Sequence, residues 1–373
     1  MNLIHIDPTD RHRVRQFLDL PFRLYVDTPQ WVPPLEMELR AALNPHRHPF
    51  YRHGEALFLL AIDDHDRPVG RLAVLDNHAY NDFNREKTAF FCQLECVDDH
   101  KVSAALFEAG FGWARSRGLT RITGPKGFTA LDGMGLLVKG FEHRPALGQP
   151  YNHAYYHDLV ASSGFETARE VVSGYISRNL QFPEKIQRAA ALVQKRYGLH
   201  VKRFTTKREM LGMLPALLKL YNDSIVPGDG NVPMSARDLK SMSDQLLLFA
   251  DPRLVKILMK GEQPIGFLLA YPDISAAIQR CHGKLLPFGW LGILLEPRCT
   301  DWLNINGAAI LSEYRGLGGT AVLFNEMFQS VIKSRYRHAE VVQIGLENER
   351  MQNELKTLGI DFYKMHRTYR REL

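Results

Sequence analysis

Apolar residues fall into short blocks parted by polar turns, and the lengths of the blocks separate strands from helices. Residues 56–62 and 69–75 are apolar runs with Asp, His, Arg and Pro between them, which predicts two strands joined by a turn. Residues 254–259 and 265–270 repeat this arrangement, and the turns correspond, Asp66-Arg-Pro-Val-Gly-Arg71 with Glu262-Gln-Pro-Ile-Gly-Phe267. After each hairpin comes a further strand (88–96; 301–311) and then i, i+4 apolar spacing that predicts a helix. Phe107 and Phe111 lie on the apolar face of the first helix, and Phe324, Phe328 and Ile332 on that of the second. Each helix feeds another strand, 119–123 in the first half and 339–346 in the second. A strand over 171–176, a join near Gln181-Phe-Pro183, and helices over 184–197, 207–222 and from Ser235 complete the pattern. Ser235 and Asp238 have the spacing of a capping box. The chain thus reads as two related units, 1–180 and 181–373, and the second carries an insert between Tyr271 and Pro297 that is expected to pack as part of the fold.

Length agrees, since 373 residues exceed one average core and suit two domains. With 45% hydrophobic and 24% charged residues the composition is globular, which excludes disordered and low-complexity classes. Cys92, Cys96, Cys281 and Cys299 are too scattered for a disulfide scaffold, and Cys92-x-x-x-Cys96 has no second pair to complete a zinc site. The histidines of His46-Arg-His48-Pro-Phe-Tyr-Arg-His53 likewise lack a second ligand cluster, so no metal is expected. The amino terminus is charged where a secretory signal is apolar, and the longest apolar stretch, 285–295, is interrupted by Pro287, Gly289 and Gly292 and falls short of the ~20 residues of a span. A cytoplasmic protein without a membrane partner is the expectation. A net charge of +6, spread along the chain, favours anionic ligands. The tail His366-Arg-Thr-Tyr-Arg-Arg-Glu-Leu373 reads as a solvated terminal strand, so nucleic acid is not an expected partner.

One motif carries chemistry. Leu311-Ser-Glu-Tyr-Arg-Gly-Leu-Gly-Gly-Thr-Ala321 stands between a strand and a helix, where backbone amides converge on a helix amino end. Gly316, Gly318 and Gly319 permit a tight turn and close approach, the amides and helix dipole favour a phosphate or pyrophosphate, and Arg315 adds charge. The same residues satisfy a dinucleotide fingerprint, Gly316-x-Gly-x-x-Ala321, but too little chain follows Ala321 to finish a doubly wound nicotinamide domain.

Arg315-Gly-Leu-Gly-Gly-Thr320 after a strand resembles the Arg/Gln-x-x-Gly-x-Gly/Ala loop of the Gcn5-related N-acetyltransferase (GNAT) family. The order of elements from residue 199 to 373 is similar as well, and the first half repeats it more weakly. The resemblance implies an α/β (α+β) fold of two tandem GNAT-like domains, each a mixed, mostly antiparallel sheet flanked by helices. It implies acetyl-CoA or another acyl-CoA as co-substrate, held by the strand end Ala309, Ile310 and Leu311, by Arg315, Gly316, Leu317, Gly318, Gly319 and Thr320, and by Asn348. It further implies direct transfer of the acyl group to a small-molecule or peptide amine. Direct transfer needs a base for the ammonium proton, for which Asp301 and Glu347 are the candidates. Two positions depart from the family pattern: Thr320 replaces Gly or Ala, and Leu355 replaces the tyrosine that serves as acid for the thiolate, a role for which Tyr363 is the substitute. In the first half Asp98-Asp-His-Lys-Val-Ser103 stands where the loop should be, so that domain is expected to have lost the co-substrate and to serve as support, acceptor site or homodimer surface. A bulky residue at Gly318 is expected to abolish binding and leave the fold intact. The alternatives are a non-catalytic acyl-CoA sensor on the same scaffold and an aminoacyl-tRNA-dependent transferase, the latter at odds with the retained loop.

Overall fold

The computed structural model describes residues 1–129, 132–180, 183–224, 232–246 and 250–373. The chain divides into two compact units whose segments interleave: Met1–Val171 with Ser275–Gly292 and Lys364–Leu373 form the first, and Val172–Ile274 with Ile293–Tyr363 the second. The sequence reading drew one boundary, at 180/181, because pattern along the chain cannot show that a late segment returns to an early unit.

The strands of the first unit are β1 (Asn2–His5), β2 (Gly54–Ile62), β3 (Pro68–Asn77), β4 (Thr88–Cys96), β5 (Arg121–Gly124), β6 (Leu136–Lys139) and the start of β7 (Glu166–Ser177). β1 to β4 pair antiparallel in order and β4 pairs β5 in parallel. The place beside β5 is taken by the chain's last strand, with Tyr369 opposite Gly124 and Glu372 opposite Arg121. Its helices are α1 (Arg11–Leu24), α2 (Glu36–Ala42), α3 (His78–Asn84), α4 (His100–Ser116) and α5 (Tyr156–Ser162). Phe107 and Phe111 of α4 are fully buried in one core with Phe91, Leu106, Tyr156 and Tyr369, as the apolar spacing predicted.

The tail is therefore no solvated strand. Tyr369 and His366 are buried, His157 hydrogen-bonds the Tyr369 hydroxyl at 2.8 Å, and Arg367 and Arg370 pair with Glu170 and Glu166 on one strand. His366 and Thr368 are buried on one face of the strand and Tyr369 on the other.

The second unit holds α6 (Glu184–Tyr197), β8 (Leu199–Lys202), α7 (Lys207–Leu211), α8 (Leu214–Ser224), α9 (Ala236–Leu246), β9 (Val255–Lys260), β10 (Gln263–Pro272), β11 (Trp302–Ile310), α12 (Gly319–Ile332), β12 (His338–Gly345) and α13 (Glu349–Thr357). Between β10 and β11 the chain makes α10 (Ser275–Arg280) and α11 (Gly289–Cys299), and β13 (Asp361–Glu372) closes it. β8, β9, β10 and β11 pair antiparallel and β11 pairs β12 in parallel, the order of the first unit again. Val322, Leu323, Phe324 and Met327 bury the inner face of α12, while Phe328 and Ile332 are half-buried. The helix predicted over 207–222 is two helices, broken at Gly212. Ser235 and Asp238 form the predicted reciprocal cap, each backbone N–H bonded to the other side chain at 3.1 and 3.2 Å. Residues 181 and 182 of the predicted join, and 226–231 of the loop before Ser235, lie outside the described residues.

Candidate functional site

The glycine loop lies where the sequence put it, between β11 and α12. Gly318 is the residue at the amino end of α12, with φ +84° and no side chain capping the helix. The convergent amides and the helix dipole at that end favour an anion. Gly316 also has positive φ, +91°, and a Cβ built on it would stand 3.4 Å from the Arg350 guanidinium. Arg350 thus faces the turn, while also pairing with Glu354 one turn along α13 at 3.1 Å. Arg315 is used differently from the reading of its charge: its Nε donates to the Ile310 carbonyl at 3.0 Å and its Nη2 to the Ser224 carbonyl at 2.9 Å. It ties the loop to the strand end and to α8.

The other loop glycines are spaces that the fold fills. A Cβ at Gly318 would lie 2.8 Å from Val193 Cγ2, and one at Gly319 would lie 2.7 Å from Leu258 Cδ2. These glycines let α12 pack closely on α6 and β9, so replacing Gly318 strains the fold itself; the expectation of a binding defect alone is corrected. Thr320 is half-buried in the first turn of the helix and leaves Gly318 as its amino-end residue.

β11 and β12 are paired from Trp302/His338 to Ile305/Val341 and no further. Beyond that point β11 passes through a bulge at Asn306 and Gly307 (φ +110°) and pairs with β10 from Ala308 to Ile310. Gln343 of β12 takes a left-handed conformation, φ +48°, and its N–H bonds to Ser173 Oγ at 3.2 Å. The two strands therefore fork, and the edge of β11 that β12 leaves uncovered runs toward the glycine loop, where Arg315 takes the Ile310 carbonyl. Because β11 and β12 are parallel, Glu347 and Asn348, which follow β12, lie at the same end of the sheet as that loop. Glu347 is exposed, and Asn348 caps α13 by accepting from Met351 N–H at 3.1 Å.

Asp301 is at the other end. It precedes the first paired residue, roughly 30 Å of extended strand from Ile310, and its carboxylate lies 3.9 Å from His338 Nε2. His338 is stacked on Trp302 and bonded to the Tyr175 hydroxyl at 2.7 Å. The structure does not bring Asp301 together with the loop.

At the point of the fork lies a buried polar group that the sequence reading missed. Asn304 donates to Asp273 at 3.1 Å, Asn306 donates to the Tyr271 hydroxyl at 3.2 Å, and Tyr363 donates to Glu340 at 2.6 Å. Asn304, Asp273 and Glu340 are each at most 3% exposed, and Asn304 stands opposite Glu340 in the β11–β12 register. Burial first, then the Asn306 hydrogen bond against it and the Asp273 and Glu340 carboxylates with it, leave the Tyr271 phenol pushed up to about 12. Burial and Glu340 raise Tyr363 far above an ordinary phenol. Tyr363 consequently holds its proton and points it at Glu340. Leu355, in the family's tyrosine position, is fully buried. The sequence signal for this group was present: Asn304-Ile-Asn306 alternates polar with apolar on an otherwise apolar strand, which places two amides on one face.

The corresponding place in the first unit differs in two ways. Asp99 caps α4 with its own carboxylate, accepting from Lys101 N–H at 2.8 Å, so the helix end already holds an anion. β4 and β5 also stop pairing, after Phe90/Thr123, but the chain following β5 turns back and Lys126 N–H bonds to the Phe91 carbonyl at 2.9 Å. Arg71, Glu95, Tyr25 and Tyr156 make a buried network there, with both phenols donating to Glu95 at 2.9 and 2.8 Å. Among the described residues no group of three or more His, Cys, Asp and Glu side chains is arranged to hold a metal ion. His48, from the histidine-rich segment, instead accepts from Phe50 N–H.

No family model matches the chain. It is 25% identical over 375 residues to protein YghO of Escherichia coli (strain K12), covering 98% of this chain and 94% of that protein. It is 26% identical over 379 residues to a bacterial ceramide synthase of Caulobacter vibrioides (strain NA1000 / CB15N), covering 96% and 95%. Among solved structures it is similar to a tandem GNAT protein from the clavulanic acid biosynthesis pathway, with TM-score 0.57 and 13% identity, over 100% of this chain and 98% of that one. The fold is a tandem GNAT-like fold, as the element order implied.

Proposed function

We propose that the protein is an acyl-coenzyme A-dependent N-acyltransferase whose second unit holds the co-substrate. The observation that carries this reading is the conjunction of an uncapped glycine turn at the start of α12 with a parallel pair, β11 and β12, that forks just before it. The residues fit the group: the α12 amides and Arg350 suit a pyrophosphate, and the edge of β11 that β12 leaves uncovered before Leu311, with Ala309 and Ile310 on it and the Ile310 carbonyl already taken by Arg315, suits the amides of a pantetheine arm. When bound, the thioester supplies an activated acyl carbon for attack by an amine. The chain's part is to orient that carbon and to receive a proton. Glu340, buried one position before the fork and oriented by Tyr363, is the carboxylate we assign to the proton, with exposed Glu347 as the second candidate. Asp301 has no part in this reading. Acetyl is the default acyl group, and the acceptor is an amine; the relative named a ceramide synthase supports a lipid amine in particular, over the small-molecule or peptide amines that the sequence alone suggested.

Titration calorimetry with acetyl-CoA, a long-chain acyl-CoA, free coenzyme A and NAD tests the binding step. Saturable binding of the coenzyme A species and not of NAD is expected, and Arg350→Ala should weaken it about tenfold, as for loss of one charged hydrogen bond. Binding of none of them overturns the reading. Tyr363→Phe separates catalysis from binding: thiol release should fall while affinity holds. A non-catalytic sensor is the second reading, favoured by Leu355 at the acid position, and it predicts binding with no thiol release from any amine and no effect of Glu340→Gln on function.

A further inference from the structure

The insert between β10 and β11 presents an apolar surface to solvent. Its inner side is packed: Ala277 and Ile278 are buried, Gln279 Nε2 donates to the Pro29 and Trp31 carbonyls at 2.9 and 2.8 Å, and Glu36 N–H bonds to the Gly283 carbonyl at 2.9 Å. Its outer side is the reverse of a normal surface. Leu286 is 80% exposed and Phe288 73%, and Trp290 and Leu291 stand open at the start of α11. Leu294 and Leu295, one helical turn on, are exposed as well. Scattered exposed apolar residues are ordinary, but six large ones within ten positions are not.

We infer that this segment is a membrane-surface anchor, seated in the headgroup region of an anionic bilayer without crossing it. Charge selects the occupant. From Ser275 to Cys299 the exposed charged side chains are Arg280, Lys284 and Arg298, all cationic, and the single carboxylate, Glu296, is buried. Trp290 belongs to the same picture: its indole N–H bonds to the Pro287 carbonyl at 3.1 Å, so the ring is held at the tip of the segment with its polar atom satisfied. A short helix with Leu, Phe and Trp on its open face and Lys or Arg beside it partitions to the interface, apolar groups among the upper acyl chains and cations among the phosphates. Beside the segment is an open cavity of about 570 Å³ lined by Phe288, Leu286, Phe22, Lys284, His282 and Asp19, whose exposed carboxylate pairs with Arg15 at 3.3 Å. Among the described residues no helix is long and apolar enough to cross a membrane. The sequence-based expectation of no membrane partner rested on that absence, and a surface anchor needs no span. The inference stands on the insert alone and holds whether or not the second unit transfers an acyl group.

The test is co-sedimentation of the full chain with vesicles of phosphatidylglycerol and phosphatidylcholine in equal parts, with phosphatidylcholine vesicles alone in parallel. The anionic vesicles should carry the protein down, binding should weaken with salt, and the emission of Trp290, the one exposed tryptophan of four, should shift to the blue. Leu286→Ser with Phe288→Ser should reduce binding at least about tenfold, and Lys284→Glu should reduce it by a comparable factor on the anionic vesicles only. Both positions in the first variant are open to solvent, so its melting temperature should match that of the native chain. Binding that is equal in the native chain and the double variant overturns the proposal. So does a native chain that ignores both vesicles, including one that dimerises until Phe288 is replaced, which would make a second copy the occupant.

Discussion

Gly318→Ala has an effect that can be worked out from two coordinates. Gly318 has φ +84°, where an L-residue is disfavoured by roughly 1–2 kcal/mol. The added methyl would stand 2.8 Å from Val193 Cγ2, well inside contact distance, and overpacking of this kind costs about 1–3 kcal/mol. Together the loss is about 2–5 kcal/mol, a large fraction of the 5–15 kcal/mol typical of a folded domain. The two parts are separable. Val193→Ala removes the opposing methyls and should relieve the steric part while leaving the backbone part, so in a double-mutant cycle the pair should be less damaging than the sum of the singles by about 1–3 kcal/mol. Urea unfolding of the four proteins gives the energies, and acetyl-CoA titration of the double variant shows whether restored stability restores affinity. A Gly318→Ala protein within about 0.5 kcal/mol of native, or a cycle additive to that precision, would refute the reasoning.

Stability should also depend on pH through His366. The ring is buried against the Pro150 carbonyl at 3.1 Å, and burial pulls its pKa from 6.5 down to about 4. The folded value lies below the unfolded one, so this contribution is complete above pH 6.5 and is lost as pH falls through about 4, a change of about 3 kcal/mol. His366→Gln should flatten that part of the curve, measured as unfolding free energy at pH 7 and pH 4.5. Deleting Lys364–Leu373 removes Tyr369 from the first unit's core and the strand beside β5, so the first unit should lose its cooperative melt although the deletion is at the far end of the chain. Residues 1–171 alone should fail in the same way, and a cooperative transition for either protein counts against the interleaving of the units.

Most of the scaffold was readable from local pattern. Hairpins, the strand after each helix, the α12 apolar face and the Ser235–Asp238 cap are set by side-chain period and by hydrogen bonds within a few residues. The glycine loop was legible for the same reason, since strand, glycines and helix are consecutive. In the first half the sequence shows Asp98 and Asp99 where Arg315 and Gly316 stand in the second, and only the structure shows that Asp99 caps its own helix.

What the chain did not display in one dimension is every property that joins distant segments. Asp301 reads as the start of the right strand, but strand direction puts it at the wrong end. Arg350 and Val193 meet the loop from helices on either side of it in sequence, and no spacing rule connects them. Glu340, Asn304, Asp273 and Tyr363 become one polar group only through sheet register. The tail looked solvated because its charges are conspicuous, but His366, Thr368 and Tyr369 are buried. Sequence alone determined most of the elements and the place of the glycine turn between strand and helix, because those depend on neighbours along the chain. The tertiary structure decided which carboxylate faces the fork, which unit each segment joins and which apolar residues remain in water, because burial is a property of three-dimensional packing.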